Sequence, residues 1–269
     1  MNLSAVTREP ASTLPECQLT HLTRQAIDVE LARRQHAAYR DALRALGVEV
    51  IHLPARDEWP DSVFVEDAAV VLDEVAVITR PGAPSRVNES AALAETLNGF
   101  RRLHVVVPPA TLDGGDVLRV GKTLYTGRSE RTNEEGIRQL HGIVQPFGYE
   151  VVPVAISGCL HLKTACSVVG PELVLADVER ADTAALRDVR ILVAPPDERA
   201  GVDALAIAGV VMLAAGYPQI AALLEGAGCN ILELELSEFG KAEGGPTCLS
   251  IVFSTAITNE FPATRQSRR

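Results

Sequence analysis

The chain lacks most of the signatures that would assign it quickly. Its five cysteines, Cys17, Cys159, Cys166, Cys229 and Cys248, include no C-x-x-C pair. Neither a zinc knuckle nor a disulfide framework is therefore indicated. No apolar run reaches the ~18 residues of a membrane span. The opening stretch "MNLSAVTREPASTLPE" is polar, so no signal peptide is expected. Basic blocks are missing apart from the tail "RQSRR". With 25 Lys and Arg against 35 Asp and Glu, the formal net charge is −10. Nucleic acid and anionic membrane are thus poor partners, whereas a cationic small molecule suits the charge. No Gly-rich loop is followed by Lys-Ser/Thr, so "DGGD" is not a phosphate loop. A cytoplasmic protein in a reducing compartment is expected.

What is there is a repeat. The segment "VFVEDAAVVLDEVAVITRP" reads as two β-rich runs turning at Asp73-Glu74. A helical stretch, "SRVNESAALAETLNGF", follows, and then a strand, "RLHVVVP". The same order returns in "DVLRVGKTLYTG", "ERTNEEGIRQLHGIVQPFG" and "YEVVPVAI". It returns again, with a weaker helical piece, in "LKTACSVVGPELVLAD", "ADTAALRD" and "VRILVAP". A fourth copy is "DALAIAGVVMLAAG", "PQIAALLEGAG" and "NILELEL". A fifth opens with "TCLSIVF" and is completed from the other end of the chain, by the helix "DVELARRQHAAYRDALRALG" and the strand "VEVIHLP". The unit is ββαβ, about 40–50 residues long, a period of arrays and rings. Because the two ends share one unit, a closed ring of residues 1–269 in one domain is expected, with about 256–269 as a flexible tail. Closure also removes exposed sheet edges. The alternative is a doubly wound α/β sheet.

The repeat also aligns the reactive residues. Cys248, in "GGPTC", stands at the start of the fifth hairpin, where the glycines suggest a mobile hinge that lets a substrate reach the sulfur. His161 opens the third hairpin, Asp113 precedes the second, and Glu66 and Asp67 lie in the first. In a ring these positions gather at one end of the axis. A thiol, an imidazole and a carboxylate form a nucleophile, an acid/base and its orienting partner. Further carboxylates suit a cationic reacting carbon such as that of a guanidinium. A lone cysteine is most often a small buried hydrophobe, and Cys17, Cys159, Cys166 and Cys229 are placed there. His21, His36, His52, His104 and His141 are read as surface or capping residues. The acidic pair in "VED", read as part of a strand, is less ordinary, because acidic pairs are poor strand formers.

Together, "DSVFVEDAAV", "ITRPGAPSR", "TLDGGDVL", "SERTNEEG", "LHLKTACS" and "GGPTCLS" resemble the dimethylarginine dimethylaminohydrolase family of the guanidino-modifying pentein superfamily. The matches run in family order from about residue 8 to residue 254. The resemblance implies an α/β fold, a five-bladed propeller of pseudo-fivefold ββαβ units. It implies hydrolysis of Nω-methylated arginine to citrulline and an amine through a covalent thiouronium on Cys248, with no metal or organic cofactor. It assigns Cys248 as nucleophile, His161 as general acid/base and Asp113 as its carboxylate partner. Asp67, with Glu66 beside it, falls at the guanidinium site. Arg86 and Arg131 fall where the substrate carboxylate is clamped, and Asp61 falls at the α-ammonium. Leu19 falls in a mobile lid. Glu243 departs from the family, which often has Asp before those glycines, and this bears on substrate preference. A hydrolase of free or otherwise N-substituted arginine is an alternative, as is a non-catalytic binding protein on the same fold. The expected assembly is a monomer or homodimer.

Overall fold

The computed structural model of the chain describes residues 2–255. The expected tail at 256–269 lies outside the described residues. Five three-stranded sheets account for the strands. Strand β1 (Leu3–Arg8) is followed by helix α1 (Val29–Ala45) and β2 (Glu49–Leu53). The next unit is β3 (Ala69–Val71), β4 (Val75–Ile78), α2 (Glu89–Leu97) and β5 (Arg102–Val105). Then come β6 (Val117–Val120), β7 (Thr123–Arg128), α3 (Glu134–Val144) and β8 (Glu150–Ala155). A short α4 (Leu162–Ala165) leads into β9 (Cys166–Gly170), β10 (Leu173–Ala176) and β11 (Arg190–Val193). The last full unit is β12 (Ala204–Ile207), β13 (Val210–Ala214), α5 (Pro218–Gly226) and β14 (Asn230–Leu234). Helix α6 (Ser237–Gly240) and β15 (Ile251–Ser254) close the chain.

Four of the sheets have one antiparallel hairpin and one parallel partner reached by the crossover. Parallel pairing requires such a crossover, which is why a helix or turn separates the second and third strand of every unit. The joining sheet has the order β15-β1-β2, with β1 antiparallel to β15 and parallel to β2. The two ends of the sequence thus complete one blade. First strands of neighbouring sheets touch, β15 with β3, β6 with β9 and β9 with β12. These strands surround the axis, and the sheets radiate from it as a five-bladed α/β propeller. No helix among the described residues is long and apolar enough to cross a membrane.

Local sequence explains the crossovers. Asp28 caps α1 by accepting from Leu31 N, and Asn133 caps α3 by accepting from Gly136 N. Ala32, His36, Tyr39 and Leu43 recur at helical spacing and form the buried face of α1. In α3 that face is Ile137, Leu140 and Val144. The helix expected in "ADTAALRD" is only a 3-10 turn, Thr183–Ala185. Asp182 accepts from Ala184 N there, a local bond that competes with helix propagation.

Three further expectations change. Strand β1 lies within the polar opening stretch, from which no strand was expected. Glu66 and Asp67 sit in a 3-10 turn, Val65–Ala68, rather than in a strand, so the acidic pair avoids the sheet that disfavours it. His36 is neither at the surface nor a cap; it is fully buried on α1. Cys17, Cys159 and Cys166 are buried and Cys229 half-buried, as small hydrophobes would be.

Tyr39 ties α1 to the segment before β15. Its hydroxyl donates to Pro246 O at 2.9 Å and meets Ser250 Oγ at 2.7 Å, with the ring fully buried. Tyr39→Phe is expected to destabilise the protein by about 1–3 kcal/mol, because buried partners lose a bond without gaining water. A urea midpoint within error of wild type would contradict this.

Candidate active site

The turns that lead into the first strand of each blade meet on the axis. Val65–Ala68 precedes β3, Gly114–Asp116 precedes β6, α4 precedes β9, Asp203 precedes β12 and Thr247-Cys248 precede β15. They bring together Glu66, Asp67, Asp113, Asp116, His161, Asp203 and Cys248. A pocket beside them is lined by Gln18, Asp61, Asp67, Arg86, Arg131, Leu160, His161, Glu243 and Cys248, among others. All the sequence-nominated positions except Leu19, Glu66 and Asp113 therefore face it. Asp113 and Glu66 stand behind it, and Leu19 packs against the apolar core near α1.

His161 lies between two carboxylates. Nε2 is 3.0 Å from Asp113 Oδ2 and Nδ1 is 3.7 Å from Asp67 Oδ1. Asp113 is fixed in turn by Gly82 N, which donates to its Oδ1 at 2.7 Å. Asp67 accepts from Gly115 N at 3.1 Å and from Arg86 Nη1 at 2.6 Å. Burial acts to lower the pKa of His161, but Asp67 and Asp113 outweigh it and raise the imidazolium to about 9. Asp67, Asp113 and His161 offer donor atoms within 4.8 Å of one another. A metal there would first have to displace the imidazolium proton, and the protonated form suits acid/base work.

Cys248 is surrounded differently. Its Sγ is 3.6 Å from Asp203 Oδ2, and Asp203 accepts from Thr247 N at 2.9 Å. Thr247 Oγ1 lies 3.0 Å from Glu66 Oε2 and 3.1 Å from Asp203 Oδ2. One hydroxyl has one proton to give, so the two carboxylates are best satisfied when one of them carries a proton itself. Burial pushes both up, Asp203 to about 7, and Glu66 is relieved in part by Lys163 Nζ at 2.7 Å. Burial and then the charges of Asp203, Glu66 and Asp67 raise the Cys248 thiol well above its ordinary value. At neutral pH the resting pair is accordingly a thiol and an imidazolium.

Arg86 is buried among acceptors. Besides Asp67 it reaches Glu89 Oε2 at 2.8 Å, and the carbonyls of Asp61 at 3.3 Å and Phe64 at 3.1 Å. Arg131 Nη2 donates to Thr20 Oγ1 at 3.0 Å. Asp61 accepts from Gln18 N at 3.1 Å. The residue-18 to residue-22 segment thus crosses the pocket mouth, and Glu243 holds it there. Glu243 accepts from the backbone amides of Thr20 at 2.9 Å, His21 at 2.5 Å and Leu22 at 2.6 Å. It does so from a left-handed backbone, φ 60°, unusual for a non-glycine residue.

The glycines before Cys248 act by their size, not as a hinge. A Cβ on Gly244 would lie 2.3 Å from the Phe64 ring, and one on Gly245 would lie 2.4 Å from Asp203 Cγ. Neither has a positive φ. Their role is close approach, which seats the Cys248 turn against Asp203. Asp203, Thr247, Lys163 and Asp116 were not singled out from the sequence. Asp203 opens the fourth hairpin, so the repeat register that marked His161 and Cys248 would also have marked it.

Comparison with known proteins places the chain in a family. Residues 11–238 match the family model described as N,N dimethylarginine dimethylhydrolase, eukaryotic. The chain belongs to the dimethylarginine dimethylaminohydrolase family. Its sequence is 41% identical over 249 residues to the N(G),N(G)-dimethylarginine dimethylaminohydrolase of Streptomyces coelicolor, covering 92% of this chain and 95% of that one. It is 34% identical to the Pseudomonas aeruginosa protein of the same name, over 92% and 98% of the two chains. A solved structure of the P. aeruginosa family member, a cysteine-to-serine mutant complexed with citrulline, superposes with a TM-score of 0.89 at 32% identity, covering 94% of this chain and 100% of that one. The pentein propeller named by the family resemblance is therefore the fold of this chain.

The His161 shift carries a stability signature. Its folded pKa, about 9, exceeds the ordinary 6.5, so the ion pairs contribute stability fully below 6.5 and lose it as pH rises through about 9. The urea-midpoint difference between wild type and His161→Gln is expected to be greatest near pH 6 and to shrink above pH 9. A difference that grows with pH would contradict the charged assignment.

Proposed function

We propose that the protein hydrolyses Nω-methylated arginine to citrulline and methylamine or dimethylamine. The observation that carries this reading is the gathering of Cys248, His161 and Asp67 in one pocket with Asp61 and Arg131, with His161 paired to Asp113 behind it. A substrate guanidinium fits beside Asp67 and supplies the positive charge that Cys248 lacks at rest. That charge offsets the carboxylates and favours the thiolate. Arg86, now the partner of Asp67, remains tethered by Glu89 as the guanidinium takes its place, and with Arg131 it can turn to the substrate carboxylate.

Once the guanidinium is bound, the Cys248 thiol gives its proton to solvent, because His161 is already protonated, and recovers one at the end from the O-protonated urea of citrulline. The thiolate sulfur forms a bond to the guanidinium carbon. The C–N bond to the methylated nitrogen breaks, and that nitrogen leaves as the amine with the proton of His161. A thiouronium on Cys248 remains. His161, now neutral, takes a proton from water as the water oxygen bonds to the same carbon. The C–S bond then breaks, citrulline departs and the sulfur is regenerated. Asp113 holds the imidazole in register through both transfers. The citrulline complex of the P. aeruginosa relative supports the product assignment.

A citrulline-release assay with arginine, monomethylarginine and both dimethylarginine isomers tests the reading. Turnover of the N-methylated substrates is expected to exceed that of arginine, and Cys248→Ser is expected to remove it, since a serine hydroxyl at its ordinary pKa is a poor nucleophile. Arginine turnover equal to or above that of every methylated substrate would overturn the substrate class. Activity retained in Cys248→Ser would reassign the nucleophile.

A further inference from the structure

A second cluster of ionisable side chains lies in the joining blade, with no part in the chemistry above. Glu9 directly follows β1, His52 is on β2 and His36 is on α1. Each offers one ligand atom, and these atoms lie within 4.8 Å of one another. His52 Nε2 is 2.9 Å from Glu9 Oε2. The other nitrogen of His52 is 3.1 Å from the hydroxyl of Thr7, which is fully buried. Such a bond at Nδ1 fixes the ring and leaves Nε2 free to offer its lone pair. His36 is the decisive member. It is fully buried, yet neither of its nitrogens has a hydrogen-bond partner. Buried polar atoms are rarely left so, and each needs a reason. Burial pushes its pKa down to about 3, so the ring is neutral.

We infer that Glu9, His36 and His52 form a binding site for a divalent transition metal of zinc type, which pins α1 to the β1–β2 pair. Two imidazoles and a carboxylate are a three-ligand zinc set, with water completing the tetrahedron. The side chains of Glu9 and His52 are 27% and 26% exposed, which gives an ion a way in. Binding would draw these three ligand atoms, now within 4.8 Å of one another, to about 2.0–2.2 Å from a common centre. One group opposes the ion. Arg40, one turn after His36, places Nη2 3.5 Å from Glu9 Oε2, so its cation competes for the same carboxylate. Binding pulls Glu9 from Arg40, and removing that charge should strengthen the site. A purely structural ion pair between Arg40, Glu9 and His52 would not respond in that direction.

The test uses full-length protein without a histidine tag, in a Cys248→Ser background that removes the active-site sulfur. Zinc chloride is titrated by calorimetry and cobalt(II) chloride by visible absorption. One equivalent of zinc is expected to bind and raise Tm. Cobalt is expected to give weak d–d bands without a sulfur charge-transfer band. Glu9→Gln and His52→Gln, both at partly exposed positions, should each weaken zinc binding by at least about tenfold. Arg40→Gln should tighten it. Absence of zinc binding, or binding of unchanged affinity in both Glu9→Gln and His52→Gln, would overturn the inference. The second result would place the ion elsewhere, for example at the Asp67–Asp113–His161 group.

Discussion

Five carboxylates buried around one thiol constrain everything at the centre of the propeller. Glu66, Asp67, Asp113, Asp116 and Asp203 are all buried. An isolated buried carboxylate would cost several kcal/mol, so each must be paired, hydrogen-bonded or protonated. The site uses all three solutions. Asp67 has Arg86, Glu66 has Lys163, and Asp113 has His161. Asp116 is bonded by Ser129 Oγ at 2.5 Å and Leu162 N at 3.0 Å, and burial still lifts it to about 6. Asp203, without a cation among these pairs, is raised to about 7.

This arrangement links stability to chemistry. Burial, Asp203 and Glu66 hold Cys248 as a thiol, and Asp67, which with Asp113 keeps His161 protonated, adds to them. On the proposed function, the resting site therefore keeps a leaving-group acid ready and a nucleophile in reserve. On the same reading, a guanidinium bound next to Asp67 would reverse the second condition. The lid contributes through the same currency of charge, since Glu243 and Asp61 accept from its backbone amides while Arg131 donates to Thr20. Substrate groups of the same chemistry, a carboxylate and an ammonium, can compete for Arg131 and Asp61. On the proposed function, substrate binding there would be an exchange of partners, not a loss of them.

Much of this was legible in the chain. The hairpins turning at Asp73-Glu74 and Gly121-Lys122 gave the ββαβ grammar, because alternating apolar runs around turn residues have one common outcome. Cys248, His161 and Asp113 were legible because each stands at the same place in its unit. Strand β1 was hidden because "LSAVTR" is short and its buried Ser4 and Thr7 look like surface residues. Asp203 was marked by the same register, at the head of the fourth hairpin, but its contact with the Cys248 turn shows only in the packing of Gly245 against it. Burial of His36 could not be seen from its type, since histidine serves both core and surface. The helical face shared with Ala32, Tyr39 and Leu43 was the available clue.

The charge environment of Cys248 can be measured directly. The pH dependence of iodoacetamide alkylation, followed by mass spectrometry on the peptide containing Cys248, reports the thiolate fraction in the unliganded protein. Wild type should titrate above the ordinary thiol value of 9.0, and Asp203→Asn, which removes the nearest carboxylate charge, should titrate at lower pH. An Asp203→Asn midpoint equal to or higher than that of wild type would contradict the claim that buried carboxylates hold Cys248 as a thiol.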